Sequence, residues 1–339
     1  MNIFGLDIGS TSSKIVQLER DGNKFRLLAA GLVPTPTPGL ASEADNALVA
    51  LATALKKLHQ DARVTTKNVV TALPEGQIFS RVIELPPMND DELAQAVPWE
   101  AEQFVPKPLN EVNLDWQVVS RGGLDKEAQP MKVLLVAAPK VLISKYLKVC
   151  SLAGFEVVAI ETEMTAAARA LVPLSASPTM LVDFGAKTTD LAIVDNGQVV
   201  MTRSVPTAGE AFTRAVSTGL ALEITQAEEY KRAYGLAEGE LEGKVKGALT
   251  PVFEAVSSEI KKALAFWQEK ETKPVASVIL TGGTANLPEV STMLARSLGV
   301  EVQIANPFSS LTAEEKAISS LKNNASVFAV AVGLAQKEI

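Results

Sequence analysis

The residues best suited to chemistry stand together near the start of the chain, in Leu6-Asp7-Ile8-Gly9-Ser10-Thr11-Ser12-Ser13-Lys14. An apolar run delivers a carboxylate into a turn of glycine and hydroxyl residues, and Ile15-Val16-Gln17-Leu18 carries the chain back as a second strand. Gly9 lets the backbone approach an anion closely, while the turn amides and the Ser10, Thr11 and Ser12 hydroxyls can donate to phosphate oxygens. Asp7 can hold a hydrated Mg2+, and Lys14 adds positive charge. The same residue types also end strands for ordinary turn reasons, so this stretch alone leaves both readings open.

A second copy changes the balance. Met180-Leu181-Val182-Asp183-Phe184-Gly185-Ala186-Lys187-Thr188-Thr189-Asp190 repeats the plan of apolar strand, Asp-x-Gly and hydroxyls, and an apolar strand again returns. Each copy runs on into a hairpin with the same turn chemistry, Asp21-Gly22-Asn23 and Asp195-Asn196-Gly197, and then a third strand over 25–33 and 199–205. A repeated three-strand meander predicts two similar domains. Two such turns facing each other across a cleft would grip one polyphosphate from both sides.

The elements that must position these turns follow from periodicity. Leu48, Leu51, Leu55 and Leu58 recur at helical spacing, with Ser42 and Glu43 as start signals. Strands over 69–73 and 78–85 are expected to finish the first domain. Asn89-Asp90-Asp91-Glu92 caps a helix running to Phe104, which Pro98 should kink or restart. Strands over 112–119 and 131–138, a polar loop over 121–130 and a helix over 141–153 complete a small inserted module. A strand over 155–160 and a helix from Glu163 to Leu171 follow. After the second meander come helices over 211–222 and 226–234, and a long amphipathic helix that Pro251 should start. A strand over 277–280 enters Gly282-Gly283, a helix spans 289–298 and a strand 301–304, and an apolar helix closes the chain over 327–337.

Composition narrows the function. The 339 residues suffice for two domains, and 47% hydrophobic with 5% aromatic residues describes an aliphatic α/β core. A net charge of −7, with no basic block interleaved with aromatics, argues against nucleic acid. The one cysteine, Cys150, excludes a disulfide frame within the chain and is expected in the core. The single histidine, His59, is expected to be solvated near a helix end, which removes a His-based triad or metal site. No apolar run reaches the roughly 18 residues of a membrane span, and no basic n-region precedes a greasy stretch, so a cytoplasmic location is expected.

Two Asp-x-Gly hairpins, a strand into Gly-Gly and a final Gly-containing apolar helix resemble the actin-like ATPase superfamily over nearly the whole chain. The resemblance implies an α/β fold of two actin-like (ribonuclease H-like) domains around a nucleotide cleft, with a small subdomain inserted in the first. Its divisions would be a first domain over 1–86 and 154–176, closed by a terminal helix over 325–338; an inserted subdomain over 87–153; a second domain over 177–208 and 273–324; and a helical subdomain over 209–272. Asp7, Gly9, Ser10 and Lys14 match the first phosphate motif, and Asp183, Gly185, Thr188 and Asp190 the second. There Ala186-Lys187 replaces the usual Gly-Gly, and Lys187 either reaches phosphate or points to solvent. Gly282, Gly283 and Asn286 match the adenosine motif. Glu228 and Lys231, three residues apart on one helical face, resemble the pair that sandwiches the nucleoside. Glu163 corresponds to the chaperones' carboxylate near Mg2+ and the attacking water; the alternative is a helix-start Glu complementing the dipole. The implied ligands are ATP or ADP with Mg2+, Asp7 and Asp183 holding the metal through water, with at most slow hydrolysis.

Within the superfamily, Pro98-Trp99-Glu100-Ala101-Glu102-Gln103-Phe104-Val105-Pro106 followed by Leu109-Asn110-Glu111-Val112-Asn113-Leu114-Asp115-Trp116 closely resembles the PilM family of type IV pilus assembly proteins. That resemblance implies an ATP-binding component of the pilus inner-membrane platform. It would capture the N-terminal cytoplasmic tail of a PilN-type membrane protein between the first domain and the inserted subdomain, in a nucleotide-dependent way. Trp99 and Phe104 are candidates for lining that groove; the alternative is packing of the module. Membrane association is then expected to be indirect, through the partner, with other pilus platform or motor proteins and self-association as further contacts. A small-molecule kinase or a chaperone-type ATPase of the same fold is the competing reading, although no cluster of general-base Asp and sugar-binding polar residues stands out.

Overall fold

In the computed structural model, the described residues are 1–22, 24–122, 130–271, 273–313 and 321–339. The first meander is β1 (Phe4–Ile8), β2 (Ser12–Asp21) and β3 (Lys24–Pro34), and the second is β9 (Thr179–Phe184), β10 (Thr189–Asp195) and β11 (Gln198–Val205). Each first strand then pairs in parallel with a later one: β1 with β4 (Asn68–Leu73), and β9 with β12 (Ser277–Thr281). A further parallel strand follows in each, β8 (Glu156–Thr162) beside β4 and β13 (Glu301–Ile304) beside β12. The orders β3-β2-β1-β4-β8 and β11-β10-β9-β12-β13 are therefore the same topology twice. The second hairpin turns on Asn196 and Gly197, both at positive φ, as a two-residue loop requires. Asn23 and residues 123–129 of the polar loop lie outside the described residues.

Between the two sheets lie α4 (Glu163–Leu171) and α9 (Ala329–Ala335). Met164, Ala166, Ala167 and Ala168 of α4 and Ala329, Val330 and Leu334 of α9 share one core with Val70 and Ala72 of the first sheet and Leu181, Ala192 and Val194 of the second. The small side chains explain the placement, because two helices fit between two sheets only where alanines let the backbones approach. On its other face the first sheet is covered by α1 (Asp45–Asp61) and α3 (Lys140–Ala153). The second carries α5 (Gly209–Leu220), α6 (Ile224–Tyr234), α7 (Lys244–Lys270) and α8 (Val290–Leu298).

The expected boundaries shift where pairing overrides local pattern. β5 (Phe79–Leu85), expected to finish the first domain, instead pairs antiparallel with β7 (Met131–Pro139), which also pairs with β6 (Val112–Ser120). Helix α3, expected in the inserted module, packs Leu142, Tyr146, Val149 and the buried Cys150 into the first sheet's core. The unit of three strands plus α2 (Asp90–Phe104) thus has its own core of Ile83, Leu93, Val97, Met131, Val133 and Leu135. Late in the chain, the short β14 (Leu311–Thr312) pairs with β3, and Phe308 packs with Val16 and Leu18, so the return to the first sheet precedes residue 325.

Four local expectations are also corrected. Helix α1 starts at Asp45; the Ser42 hydroxyl accepts from the Ala44 N–H in the preceding turn and does not cap the helix. Helix α7 starts at Lys244, so Pro251 sits inside it, and Pro98 likewise lies within an unbroken α2 whose Asn89–Glu92 capping box is intact. His59 is half-buried: its Nε2 lies 2.8 Å from the Thr66 carbonyl and its ring packs on Phe4 and Phe155 at 5.3 and 5.1 Å.

Candidate functional site

The two hairpins end in the same way and are electrostatically different. Asp7 stands opposite Lys14 across β1 and β2, and Lys14 Nζ donates to Asp7 Oδ2 at 3.0 Å with both residues buried. Burial works to lower the Lys14 pKa, yet the charge and hydrogen bond of Asp7, with Asp183 and Glu163 beyond, outweigh it and raise the pKa. Ser10 and Thr11 are exposed at the turn, with Gly9 and Ser12 half-buried beside them. Thr35 braces the turn from behind, its hydroxyl donating to the Gly9 carbonyl at 2.8 Å and its N–H to the Thr11 carbonyl at 3.0 Å.

Asp183 holds the equivalent strand position and faces Asp190. Burial, then repulsion from Asp190 and Asp7, pushes the Asp183 carboxyl up to about 7, with Lys14 opposing. Burial also raises Asp190, against hydrogen bonds from Ser204 and Thr188, the latter at 2.8 Å from Asp190 Oδ2. The Thr188 carbonyl accepts from Gly185 N–H at 3.1 Å. Two more carbonyl oxygens of this turn are already engaged. Gly185 O accepts from Gly209 N–H and the Thr284 hydroxyl, and Ala186 O accepts from Glu210 N–H, which ties the turn to the start of α5. Lys187 is exposed at the tip.

Glu163, the first residue of α4, joins this group from the helix between the sheets. Burial raises its carboxyl well above the usual range, and Asp7, Asp190, Asp183 and Glu75 add to the rise. Its Oε2 accepts from the Glu75 N–H at 3.4 Å. Glu75 was not anticipated from the sequence; it is buried, and burial followed by Asp190 pushes its carboxyl up to about 8. The available signal was Pro74-Glu75-Gly76 directly after the buried β4, the same pattern of strand, acid and glycine that marks both hairpins.

Gly282 closes the floor. Its φ of +83° and its surroundings both demand glycine, because a Cβ would lie 2.4 Å from Asp183 Oδ1 and 2.6 Å from the Phe184 carbonyl. Asn286 Nδ2 donates to Ser326 Oγ at 2.8 Å, and Ser326 Oγ donates to the Gly282 carbonyl at 3.2 Å, so Asn286 holds the Gly282-Gly283 turn to the C-terminal segment. Ser326 and Thr35 carry no motif of their own. On α6, Lys231 Nζ is 2.6 Å from Glu228 Oε2 and donates to Thr213 Oγ1 at 2.9 Å and to the Gly209 carbonyl at 3.1 Å. Burial lowers the Lys231 pKa against the pull of Glu228. Glu228, about a third exposed, is held below the usual carboxylate range because Lys231, Thr213 and Arg232 outweigh burial.

The structure therefore brings Asp7, Lys14, Glu163, Asp183 and Gly282 together, and links Glu228 and Lys231 to them through α5. Trp99 and Phe104 lie apart on α2. Phe104 packs into the inserted unit with the Arg81 guanidinium 4.4 Å above its ring, whereas Trp99 is 75% exposed. Among the described residues no group of three or more His, Cys, Asp or Glu is arranged as a ready metal cage.

The family model of the type IV pilus assembly protein PilM matches residues 5–339. The chain belongs to the PilM family. A solved PilM-PilN type IV pilus biogenesis complex superposes with a TM-score of 0.85 at 29% identity, covering 99% of this chain and 98% of that one. The cell division protein FtsA of Bacillus subtilis is 22% identical over 350 residues, 89% of this chain and 78% of its own. MreB 5 of Spiroplasma citri bound to AMPPNP shares the fold at a TM-score of 0.53 and 14% identity, over 98% of this chain and 94% of that one. The fold is the two-domain actin-like fold of these relatives.

Proposed function

We propose that this PilM-family chain is an ATP-binding scaffold of the type IV pilus inner-membrane platform, whose nucleotide sets its affinity for the cytoplasmic tail of a PilN-type membrane protein. The observation that carries the nucleotide part is the cleft itself: two Asp-x-Gly turns of one topology, with Asp7 and Asp183 in equivalent strand positions and Gly282 stripped of any side chain between Asp183 and the opening. The residues fit Mg2+ with a polyphosphate. Carboxyls that repel one another, balanced by Lys14 alone among the residues that shift them, gain from a hard cation.

Asp7 and Asp183 would hold the hydrated metal. The amides and hydroxyls of Gly9, Ser10, Thr11 and Ser12, and the amides of Ala186, Lys187 and Thr188, would donate to phosphate, with Gly185, whose N–H already donates to the Thr188 carbonyl, leaving room for its approach. Gly282 and Gly283 would let adenine lie on the backbone, with Asn286 fixing that turn, and Glu228 and Lys231 would flank the ribose. Burial, then Asp7, Asp190, Asp183 and Glu75, raise the Glu163 carboxyl well above the usual range while no cation is present, so a general-base role would need a bound cation to favour its carboxylate. A ligand touching both lobes shifts their arrangement only by its differential affinity, which is how nucleotide would be read by a peptide partner.

The solved complex with PilN supports a PilN-type partner for this chain. Trp99 of α2 is the exposed aromatic offered to it. Among the described residues no helix is long and apolar enough to cross a membrane, in keeping with attachment through that partner. The test is titration of a synthetic PilN-type N-terminal peptide onto the protein, with and without Mg-ATP, alongside thermal unfolding. Nucleotide at 100 times its Kd should stabilise the fold by about 2.7 kcal/mol. Equal peptide affinity in both conditions would remove the coupling.

A further inference from the structure

The inserted sheet of β5, β6 and β7 is apolar on both faces, and side chains alternate along each strand, so each face needs its own cover. Ile83, Met131, Val133 and Leu135 share a core with Leu93 and Val97 of α2. Leu134 of β7 belongs to the other face and is buried in the core between the lobes with Val199 of β11. Val82, Val119 and Val136 pack against that same core. The unit is thus joined to the first lobe by the chain and to the second by packing.

Polar contacts surround this patch and, among the described residues, reach the second lobe from all three strands. On β5, Ser80 Oγ accepts from the Thr202 hydroxyl of β11 at 3.2 Å. On β6, Gln117 Nε2 donates to Gln198 Oε1, at the start of β11, at 2.7 Å. On β7, Lys132 pairs with Glu271, just past the end of α7. The turn over Glu75–Gln77, which leads into β5, meets β11 as well, since a Cβ on Gly76 would lie 3.0 Å from Ser204 Oγ. Each contact alone is weak, but together they seat one sheet along the length of one strand.

That strand pairs with β10 residue by residue, so it moves with the second hairpin. The first lobe holds the unit at the turn from Leu73 to Phe79 and at the junction of Pro139 with Lys140, whose Nζ donates to the Asn110 carbonyl at 2.8 Å. We propose that the inserted unit is a bridge whose seating on β11 sets its position against the first sheet, so that a displacement of the second hairpin is passed to α2. A body held by two parts that move relative to each other must follow both, and releasing one hold changes its relation to the other. The use of this bridge in setting partner affinity rests on the nucleotide reading above, whereas the bridge itself needs no ligand.

The experiment uses the full chain with spin labels on Lys56→Cys of α1 and Gln103→Cys of α2, both exposed; Cys150 is buried and does not compete. The bridge is cut from the second lobe alone, with Gln198→Ala, Thr202→Val and Glu271→Ala. Without nucleotide, the distribution of distances between α1 and α2 should broaden, although every cut lies in the other lobe. Arg203→Ala with Glu259→Ala removes a pair that starts on the same strand and stays within the second lobe, and should leave the distribution unchanged. If the triple variant fails to fold, Gln198→Ala with Glu271→Ala takes its place. With Mg-ATP, the wild-type distance should shift and that of the cut variant should not, while both gain the same thermal stabilisation. A distribution unmoved by the cuts, one moved equally by the Arg203 control, or a wild-type thermal shift with no change of distance overturns the bridge. Absence of any thermal shift with Mg-ATP overturns the nucleotide reading instead, and the nucleotide-free distributions still decide the bridge.

Discussion

Asp183 and Asp190 stand directly opposite each other across β9 and β10, at the place where the first hairpin sets Asp7 against Lys14. Duplicated topology has thus been given a salt bridge in one copy and a repulsive pair in the other. The two aspartates that would share a metal should respond to the same mutation with opposite signs. Asp183→Asn removes one of two repelling charges and is expected to stabilise the nucleotide-free protein by about 1–2 kcal/mol near pH 8. Asp7→Asn strands the buried Lys14 ammonium and should cost about 3 kcal/mol. Urea unfolding of both variants checks the signs, and both should lose the thermal shift with Mg-ATP.

The pH dependence of stability follows from the raised carboxyls. Glu75 rises from 4.5 to about 8 and Asp183 from 3.8 to about 7, so the folded state binds more protons than the unfolded chain. Their contribution is complete below the ordinary carboxylate values and is lost as the pH climbs through the folded ones. Stability of the nucleotide-free protein should therefore fall from about pH 5 to about pH 8, by at most about 1.4 kcal/mol per pH unit for each group. Thermal unfolding across that range would show it, and a Tm rising steadily towards pH 8 would contradict it.

Binding of Mg-ATP should expel protons. A divalent cation beside Asp183 favours its carboxylate, so a group poised near 7 gives up part of its proton at neutral pH. Calorimetric titration in two buffers of different ionisation enthalpy measures the release. Identical heats in both buffers would mean that Asp183 does not face the metal.

Gly282→Ala should damage the cleft more than a methyl group suggests. At φ +83°, with Asp183 Oδ1 at 2.4 Å from the added carbon, the turn must move away from the aspartate. A loss of about 1–3 kcal/mol in stability is expected from the backbone strain alone. Nucleotide affinity should fall with it, and both are read in one thermal-shift titration.

Trp99→Ala separates surface from core. With 75% of Trp99 exposed on α2, stability should change by no more than about 0.5 kcal/mol. Binding of a PilN-type peptide should weaken at least about tenfold if this ring is an anchor. Phe104→Ala should instead destabilise the protein, since that ring packs in the inserted unit under Arg81.

Both hairpins, the Gly282-Gly283 turn and Glu163 at the head of a helix were legible because each is a local event. A strand end, a small turn residue and an acid lie within a few positions of one another, and backbone sterics give that pattern one main meaning. The strand over 79–85 was legible as a strand, yet its pairing with β7 was not, since alternation along a strand says nothing about its neighbour. The same limit hid the role of α3, whose apolar face would have suited either core.

By itself the sequence determined two meanders of one design, a cleft chemistry of carboxylates, glycines and hydroxyls, and a family. Only the tertiary structure decided how those carboxylates feel one another. Glu75 and Asp190 are far apart in the chain and carry ordinary acids until two lobes close over them. Burial and repulsion are properties of assembled space, and they raise two unremarkable carboxyls above the usual range.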